Sequence, residues 1–207
     1  MRYIRLLLFP FSLLYGLVIA IRHALYDLNW MKRTAVDIPT IVVGNLAVGG
    51  TGKSPMVEYV VRALGDEYRI AVLSRGYGRR TRGYREVQAD DDASFVGDEP
   101  LQFKRKFPAI TVAVCEKRVT GVRQLEANHD LVLLDDAFQH RALIPGFAIL
   151  LFDFTATLHG PHLLLPAGNY RDLLSRRRHA DMMVVTKTPQ DAQESQKVRI
   201  AGKLSVD

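Results

Sequence analysis

One stretch limits what this chain can become more than any other: Ala47-Val48-Gly49-Gly50-Thr51-Gly52-Lys53-Ser54. It lies between an apolar, β-branched run at residues 38–44 and a segment with helical periodicity at residues 55–64. A strand that runs through glycines straight into a helix makes a cradle for an anion. The glycines let successive N–H groups converge, and the helix adds its positive end. Lys53 is spaced to reach the β- and γ-phosphates of a nucleoside triphosphate, and the Ser54 hydroxyl is spaced to ligate Mg²⁺. The cradle comprises Ala47, Val48, Gly49, Gly50, Thr51, Gly52, Lys53 and Ser54. The strict pattern G-x-x-x-x-G-K-[ST] has glycine where Ala47 stands.

The rest of the chain reads as strands alternating with helices. Strands are expected at residues 38–44, 70–74, 109–114, 131–135, 147–153 and 182–186. Helices are expected at 55–64, 98–106, 116–127, 170–179 and 191–204. In the helix at 55–64, Met56, Val57, Val60, Val61 and Leu64 form one stripe, and Pro55 suits its first turn. Residues 131–135 are so apolar that both faces should be buried. Residues 75–85 and 155–169 read as loops, and Asp90-Asp91-Asp92 as an exposed turn. The implied fold class is α/β: a mostly parallel sheet flanked by helices, of the phosphate-loop NTPase type. In such sheets ligands sit at the carboxyl ends of the strands, where the loop, Arg75, Asp98, the Asp135-Asp136 pair and Asp153 all fall.

Several of those residues suit phosphoryl transfer. The strand at 131–135 ends in Asp135-Asp136, and an acidic strand end beside the loop normally completes a Mg²⁺ shell. Successive side chains alternate along a strand, so one carboxylate faces the metal and the other a neighbour. Ser54 and Asp135 are the candidate metal ligands, with Asp136 in the catalytic set; alternation alone does not say which carboxylate faces the metal. Asp98 follows Gly97 at a helix start, where it is either an N-cap or a base for an acceptor hydroxyl. Gln139 and His140 line the site or merely turn the chain. Arg75 opens a Gly- and Arg-rich loop suited to an anionic ligand, or simply solvated.

The formal charge is +6, and +4 of it lies before residue 34, where Arg2, Arg5, Arg22, Lys32 and Arg33 face a single acid, Asp27. This excess flanks residues 6–21, which carry no charge. A helix of that length spans about 24 Å, short of the ~30 Å of a bilayer core, and Pro10 and Gly16 interrupt it. The pattern fits a helix on an anionic membrane surface; a spanning anchor and a soluble core helix are the alternatives. A second basic cluster, Arg171 and Arg176-Arg177-Arg178, lacks interleaved aromatics, so no nucleic-acid partner is expected. The lone Cys115 allows no intrachain disulfide and reads as a small residue ending a buried strand.

Together these motifs resemble one family. Val43-Gly44-Asn45-Leu46 running into Gly49-Gly50-Thr51-Gly52-Lys53-Ser54-Pro55, then Ser74-Arg75-Gly76-Tyr77-Gly78, Gly97-Asp98-Glu99-Pro100, Asp135-Asp136-Ala137-Phe138-Gln139-His140 and Leu164-Leu165-Pro166-Ala167-Gly168 look like tetraacyldisaccharide 4′-kinase, the lipid A 4′-kinase of Gram-negative bacteria. The resemblance implies ATP and Mg²⁺ as cofactors. It implies phosphorylation of the 4′-hydroxyl of a tetraacyl glucosamine disaccharide 1-phosphate, a lipid A precursor, at the cytoplasmic face of the inner membrane. It implies Asp98 as base, with Asp135 and Asp136 in the Mg²⁺ and catalytic site. Two departures stand out. Ala137 replaces a usual glycine, and family members continue for about a hundred residues into a smaller lobe that supplies a histidine to partner the base. The expected organisation is an apolar helix at 1–30 and a nucleotide-binding domain at 31–207, the second lobe being absent.

Two other functions compete with the kinase. Val184-Val185-Thr186-Lys187-Thr188-Pro189 resembles the [NT]KxD element of a guanine-reading switch, but Pro189 offers no acceptor to the guanine ring. A membrane-docked nucleotide-binding fragment, inactive alone, is the non-enzymatic alternative.

Overall fold

The computed structural model describes residue 5 and residues 7–205. Arg2, Leu6 (the first residue of the uncharged run) and Asp207 lie outside the described residues. The fold is α/β as expected, its strands mostly in parallel pairs and flanked by helices. The chain divides into two compact units. One gathers residues 1–31, 45–52 and 149–207; the other gathers residues 32–44 and 53–148.

In the second unit, β1 (Thr40–Asn45, of which Thr40 to Gly44 belong here) pairs in parallel with β5 (Leu131–Asp135). Strand β5 pairs in parallel with β2 (Ile70–Ser74), and β2 with β4 (Thr111–Val114). A two-residue strand β3 (Arg85–Glu86), which the sequence does not signal, closes this edge antiparallel to β4. Every residue of β2 and β5 is buried, as the apolar run at 131–135 predicts. Helix α2 (Lys53–Leu64) buries Val57, Val60 and Val61 of the expected stripe. It starts two residues before Pro55, so Pro55 is its third residue, where a missing N–H still costs nothing.

A short helix α3 (Ala93–Val96) is capped by Asp92, whose side chain accepts from the Ser94 N–H. Helix α4 (Asp98–Lys106) follows, then α5 (Arg118–Leu125) between β4 and β5. The N-cap of α4 is Gly97, at φ 92°, and not Asp98, so the capping reading of Asp98 fails. Left-handed backbone favours glycine at that corner. Cys115 directly follows β4 and is buried, as expected.

The other unit opens with α1 (Phe9–Asp27). Pro10 is its second residue, and the helix runs unbroken through Gly16, so neither interrupts it. Among the described residues α1 is the one helix long and apolar enough to cross a membrane by length and composition. Leu13, Leu14, Leu17 and Val18 are each more than half exposed, and only Ser12, His23 and Tyr26 are buried. That is the reverse of a soluble core helix, which buries its leucines and exposes its polar groups.

Strand β6 (Phe147–Asp153) pairs in parallel with β7 (Met182–Thr186) over Ile149 to Asp153. Two expectations between them are corrected. Residues 154–159 form helix α6 (Phe154–His159) instead of a loop, because Asp153 caps it by accepting from the Ala156 N–H at 2.9 Å. The basic helix expected at 170–179 is only a 3₁₀ turn (Leu174–His179), since the backbone of residues 170–172 is engaged elsewhere in hydrogen bonding. Helix α7 (Glu194–Leu204) ends the described chain behind a capping box of Gln193 and Gln196.

Candidate active site

The loop after β1 is shaped by two left-handed glycines, Gly49 at φ 110° and Gly52 at φ 84°. A β-carbon on Gly49 or Gly50 would meet nothing within 4 Å, so the backbone there faces open space. Ala47 has no left-handed φ, which explains why alanine is tolerated where the strict pattern has glycine. A cavity of about 690 Å³ opens on residues 46–51 and on Asp153, Thr157 and Lys187.

Side chains from elsewhere in the same unit hold the loop. Asn45, fully buried, donates from Nδ2 to the Thr51 hydroxyl at 2.7 Å and accepts on Oδ1 from Arg171 Nη2 at 2.6 Å. Val48 N donates to Asn169 O at 2.8 Å, and Arg171 N to Leu46 O at 2.8 Å. From the end of β7, the Thr186 hydroxyl donates to Thr51 O at 2.8 Å. Lys187 Nζ donates to Gly50 O and pairs with Asp153 at 3.1 Å. The element that resembles a guanine reader thus supports the loop's backbone.

In the other unit, α2 opens on Lys53 and Ser54, which chain continuity puts directly after Gly52. Lys53 Nζ lies 3.8 Å from Asp136 Oδ1, and the Ser54 hydroxyl donates to Glu99 Oε1 at 3.1 Å. Asp136 takes a left-handed φ of 47°, a conformation that aspartate tolerates better than most residues. This turn splits the adjacent carboxylates: Asp136 is half-buried beside Lys53, while Asp135 is 2% exposed. The Ser74 hydroxyl donates to Asp135 Oδ2 at 3.4 Å, and Asp135 Oδ1 is buried with no hydrogen-bond partner. Burial, then the charges of Glu99 and Asp136, pushes the Asp135 carboxyl up to about 7, against the pull of Lys53 and Ser74.

Ionised Asp135 is therefore only partly compensated by Lys53 and Ser74, and a divalent cation is a group that would supply the rest. Among the described residues no group of three or more His, Cys, Asp or Glu side chains forms a metal site by itself. Mg²⁺ suits such a place, because it takes only one or two carboxylates and fills its octahedron with water and substrate phosphates. The residues present fit it: the Ser54 hydroxyl, Asp135 and Glu99.

Of the remaining sequence candidates, Asp98 is exposed on the first turn of α4, next to Glu99. Gln139 and His140 are half-buried in the turn after Asp136, where His140 N donates to Ala137 O at 2.8 Å. Arg75 is exposed after β2. Sequence reading missed two residues. Glu99, on the first turn of α4, looks in the sequence like any acid at a helix start. Arg118 is 2% exposed, donates to Cys115 O at 2.5 Å and has its Nε unpartnered. Burial lowers its ionisation to about 10, against the opposing charge of Asp135. A signal did exist: a cation on the first residue of a helix opposes the helix dipole and asks for a reason.

A glycine cradle entering a helix, a lysine and serine at that helix's start, and a buried acidic strand end define a phosphate-loop protein of the nucleotide-handling class. A family profile described as "Tetraacyldisaccharide-1-P 4'-kinase" (LpxK) matches residues 4–206, and the chain belongs to that family. Among relatives, a "Tetraacyldisaccharide 4'-kinase" of Flavobacterium johnsoniae is 44% identical over all of this chain and 61% of its own length. One of Bacteroides thetaiotaomicron is 45% identical over 89% of this chain and 49% of its own length. The crystal structure of LpxK from Aquifex aeolicus in complex with ATP superposes with a TM-score of 0.84 at 36% identity, covering 92% of this chain and 61% of that one. The chain thus spans between about half and three fifths of the length of the relatives it matches.

Proposed function

We propose that this chain binds ATP with Mg²⁺ and serves transfer of the γ-phosphoryl group to the 4′-hydroxyl of a tetraacyldisaccharide 1-phosphate. The observation that carries the reading is the open glycine loop continuing into Lys53 and Ser54, within a chain whose family relative is complexed with ATP. A cavity of about 690 Å³ on the loop is in the size range of small-molecule sites. Lys53 neutralises the β- and γ-phosphates. Ser54 and Asp135 would hold the metal, with Glu99 as a further ligand. Bound there, Mg²⁺ would supply neutralisation of the phosphate charge. Asp98 takes the proton of the acceptor hydroxyl, and Asp136, beside Lys53, fixes that cation's place. Arg75, Gln139 and His140 face the acceptor sugar and its phosphate.

The exposed leucines of α1, with basic residues at either end, suit a lipid surface, which we assign to the cytoplasmic face of the inner membrane. A second reading follows from coverage. The chain matches 61% of the Flavobacterium relative, so the remaining part of that length would complete the acceptor side. The test is transfer from γ-labelled ATP to a tetraacyl disaccharide 1-phosphate in detergent micelles. It is run with this chain, with its Lys53→Ala variant, and with the remaining part of a relative added in trans. Labelling by the chain supports the kinase reading, and labelling only with the added part supports the second. Equal labelling by Lys53→Ala refutes both.

A further inference from the structure

The membrane-type helix and the phosphate loop are tied together by one segment, residues 163–172. On its α1 side the polar contacts are dense for a helix so apolar. Ser12 Oγ donates to Leu164 O at 3.0 Å and accepts from Ala167 N at 2.9 Å. The Tyr15 hydroxyl donates to Arg171 O at 3.0 Å. His23 Nε2 and Asp172 Oδ1 lie 2.6 Å apart, with both residues at most 5% exposed. Ahead of the helix, Arg5 Nη2 donates to Gly168 O at 2.6 Å and to Asn169 Oδ1 at 3.0 Å.

The loop side of the same segment is equally engaged. Its backbone pairs with the loop at Val48–Asn169 and Leu46–Arg171, and Ala47 and Tyr170 form an isolated antiparallel bridge. Arg171 then continues the chain of hydrogen bonds through Asn45 to Thr51. Adjacent residues thus face opposite duties. Asp172 grips α1, and Arg171 grips the residue that orients Thr51.

We propose that His23, Tyr15 and Asp172 are positioning residues for nucleotide binding: through residues 163–172 they set the phosphate loop that Arg171 and Asn45 hold. The inference rests on the reading of Ala47–Ser54 as a nucleotide loop. It assigns the buried face of α1 a task separate from its exposed leucines. A helix that served only as a lipid anchor would gain nothing from a desolvated His–Asp pair, which hydrophobic side chains could replace.

The test is equilibrium binding of a fluorescent ATP analogue to the whole 207-residue chain in detergent, with Mg²⁺ present. The variants are His23→Ala, Asp172→Asn and Tyr15→Phe. Ile200→Ala is the control, since it removes a buried side chain of α7 in the same unit, one that lines a groove with Phe154, Met183 and Val185. The expected result is a Kd weakened about tenfold by His23→Ala and by Asp172→Asn, less by Tyr15→Phe, and unchanged by Ile200→Ala. Tyr15→Phe removes one hydroxyl and keeps the ring, so it reports even where the His23 variant does not fold. Unchanged binding in all three variants overturns the inference while the nucleotide reading stands. So does an equal loss in Ile200→Ala, which would make the effect one of general stability. Failure of the unsubstituted chain to bind the analogue overturns the nucleotide reading and the inference with it.

Discussion

The phosphate loop and the acidic strand end are both polar, but they are built on opposite terms. Around the loop, most of the buried polar groups named above meet a hydrogen-bond partner, Arg171 through its Nη2. Asn45 and Thr51 satisfy each other while buried, and Arg171, Thr186 and Lys187 each donate to a loop acceptor. At the acidic end, Asp135 is buried with one oxygen unpartnered and two further carboxylates bearing on it. A satisfied network fixes a shape before any ligand arrives, whereas an uncompensated buried charge waits for a counter-ion. The loop is thus preorganised, and the acidic end is the part that a cation would complete.

The largest effect should come from Lys53→Ala, the change that removes the cation of the acidic end. We expect transfer to fall by at least about a thousandfold, measured as label passed from ATP to the disaccharide. Asp98→Ala should follow, lowering turnover by about a hundredfold or more while ATP affinity changes little, read from kcat against the KM for ATP. Full turnover in that variant would remove Asp98 from the role of base.

Asp135→Asn tests the contrast itself. With a carboxyl near 7 in the folded protein and an ordinary value of 3.8 in the unfolded chain, the folded state keeps a proton that the unfolded chain has lost between those values. Without Mg²⁺, stability should therefore fall as pH rises from about 4 to about 7 and level off above, a loss of at most roughly 4 kcal/mol. Asp135→Asn should flatten that slope and raise Tm at pH 8, and a slope left unchanged would contradict the burial argument. Around the loop the effects should be smaller. Asp153→Ala removes the cap of α6 and the partner of Lys187, and should cost about 1 kcal/mol in urea unfolding. Ala47→Gly should be the mildest, destabilising by about 0.5–1 kcal/mol without improving ATP affinity, because alanine already adopts the native backbone there.

Sequence is most legible where the signal is local. Glycines at fixed offsets before Lys53-Ser54 report local backbone needs, which is why the loop and the helix after it were readable. The buried run at 131–135 was equally plain, since five apolar residues ending in two acids have few other homes. What escaped notice depended on contacts distant in sequence. The helical appearance of residues 170–179 gave way because residues 170–172 bond to 46 and 163, which no local propensity encodes. Glu99 reads as an ordinary first-turn acid until β5 and α2 bring Asp135 and Ser54 to it. The split between Asp135 and Asp136 needed a left-handed turn at a non-glycine, which alternation along a strand foretells only in part.

The most direct measurement is ATP affinity with and without Mg²⁺, by titration calorimetry, in the unsubstituted chain and in Asp135→Asn. A preorganised loop together with a cation-seeking acid predicts that Mg²⁺ tightens ATP binding by about tenfold or more in the unsubstituted chain and by little in the variant. Equal tightening in both would contradict the assignment of Asp135 to the metal, and no ATP binding in either would contradict the loop as a nucleotide site.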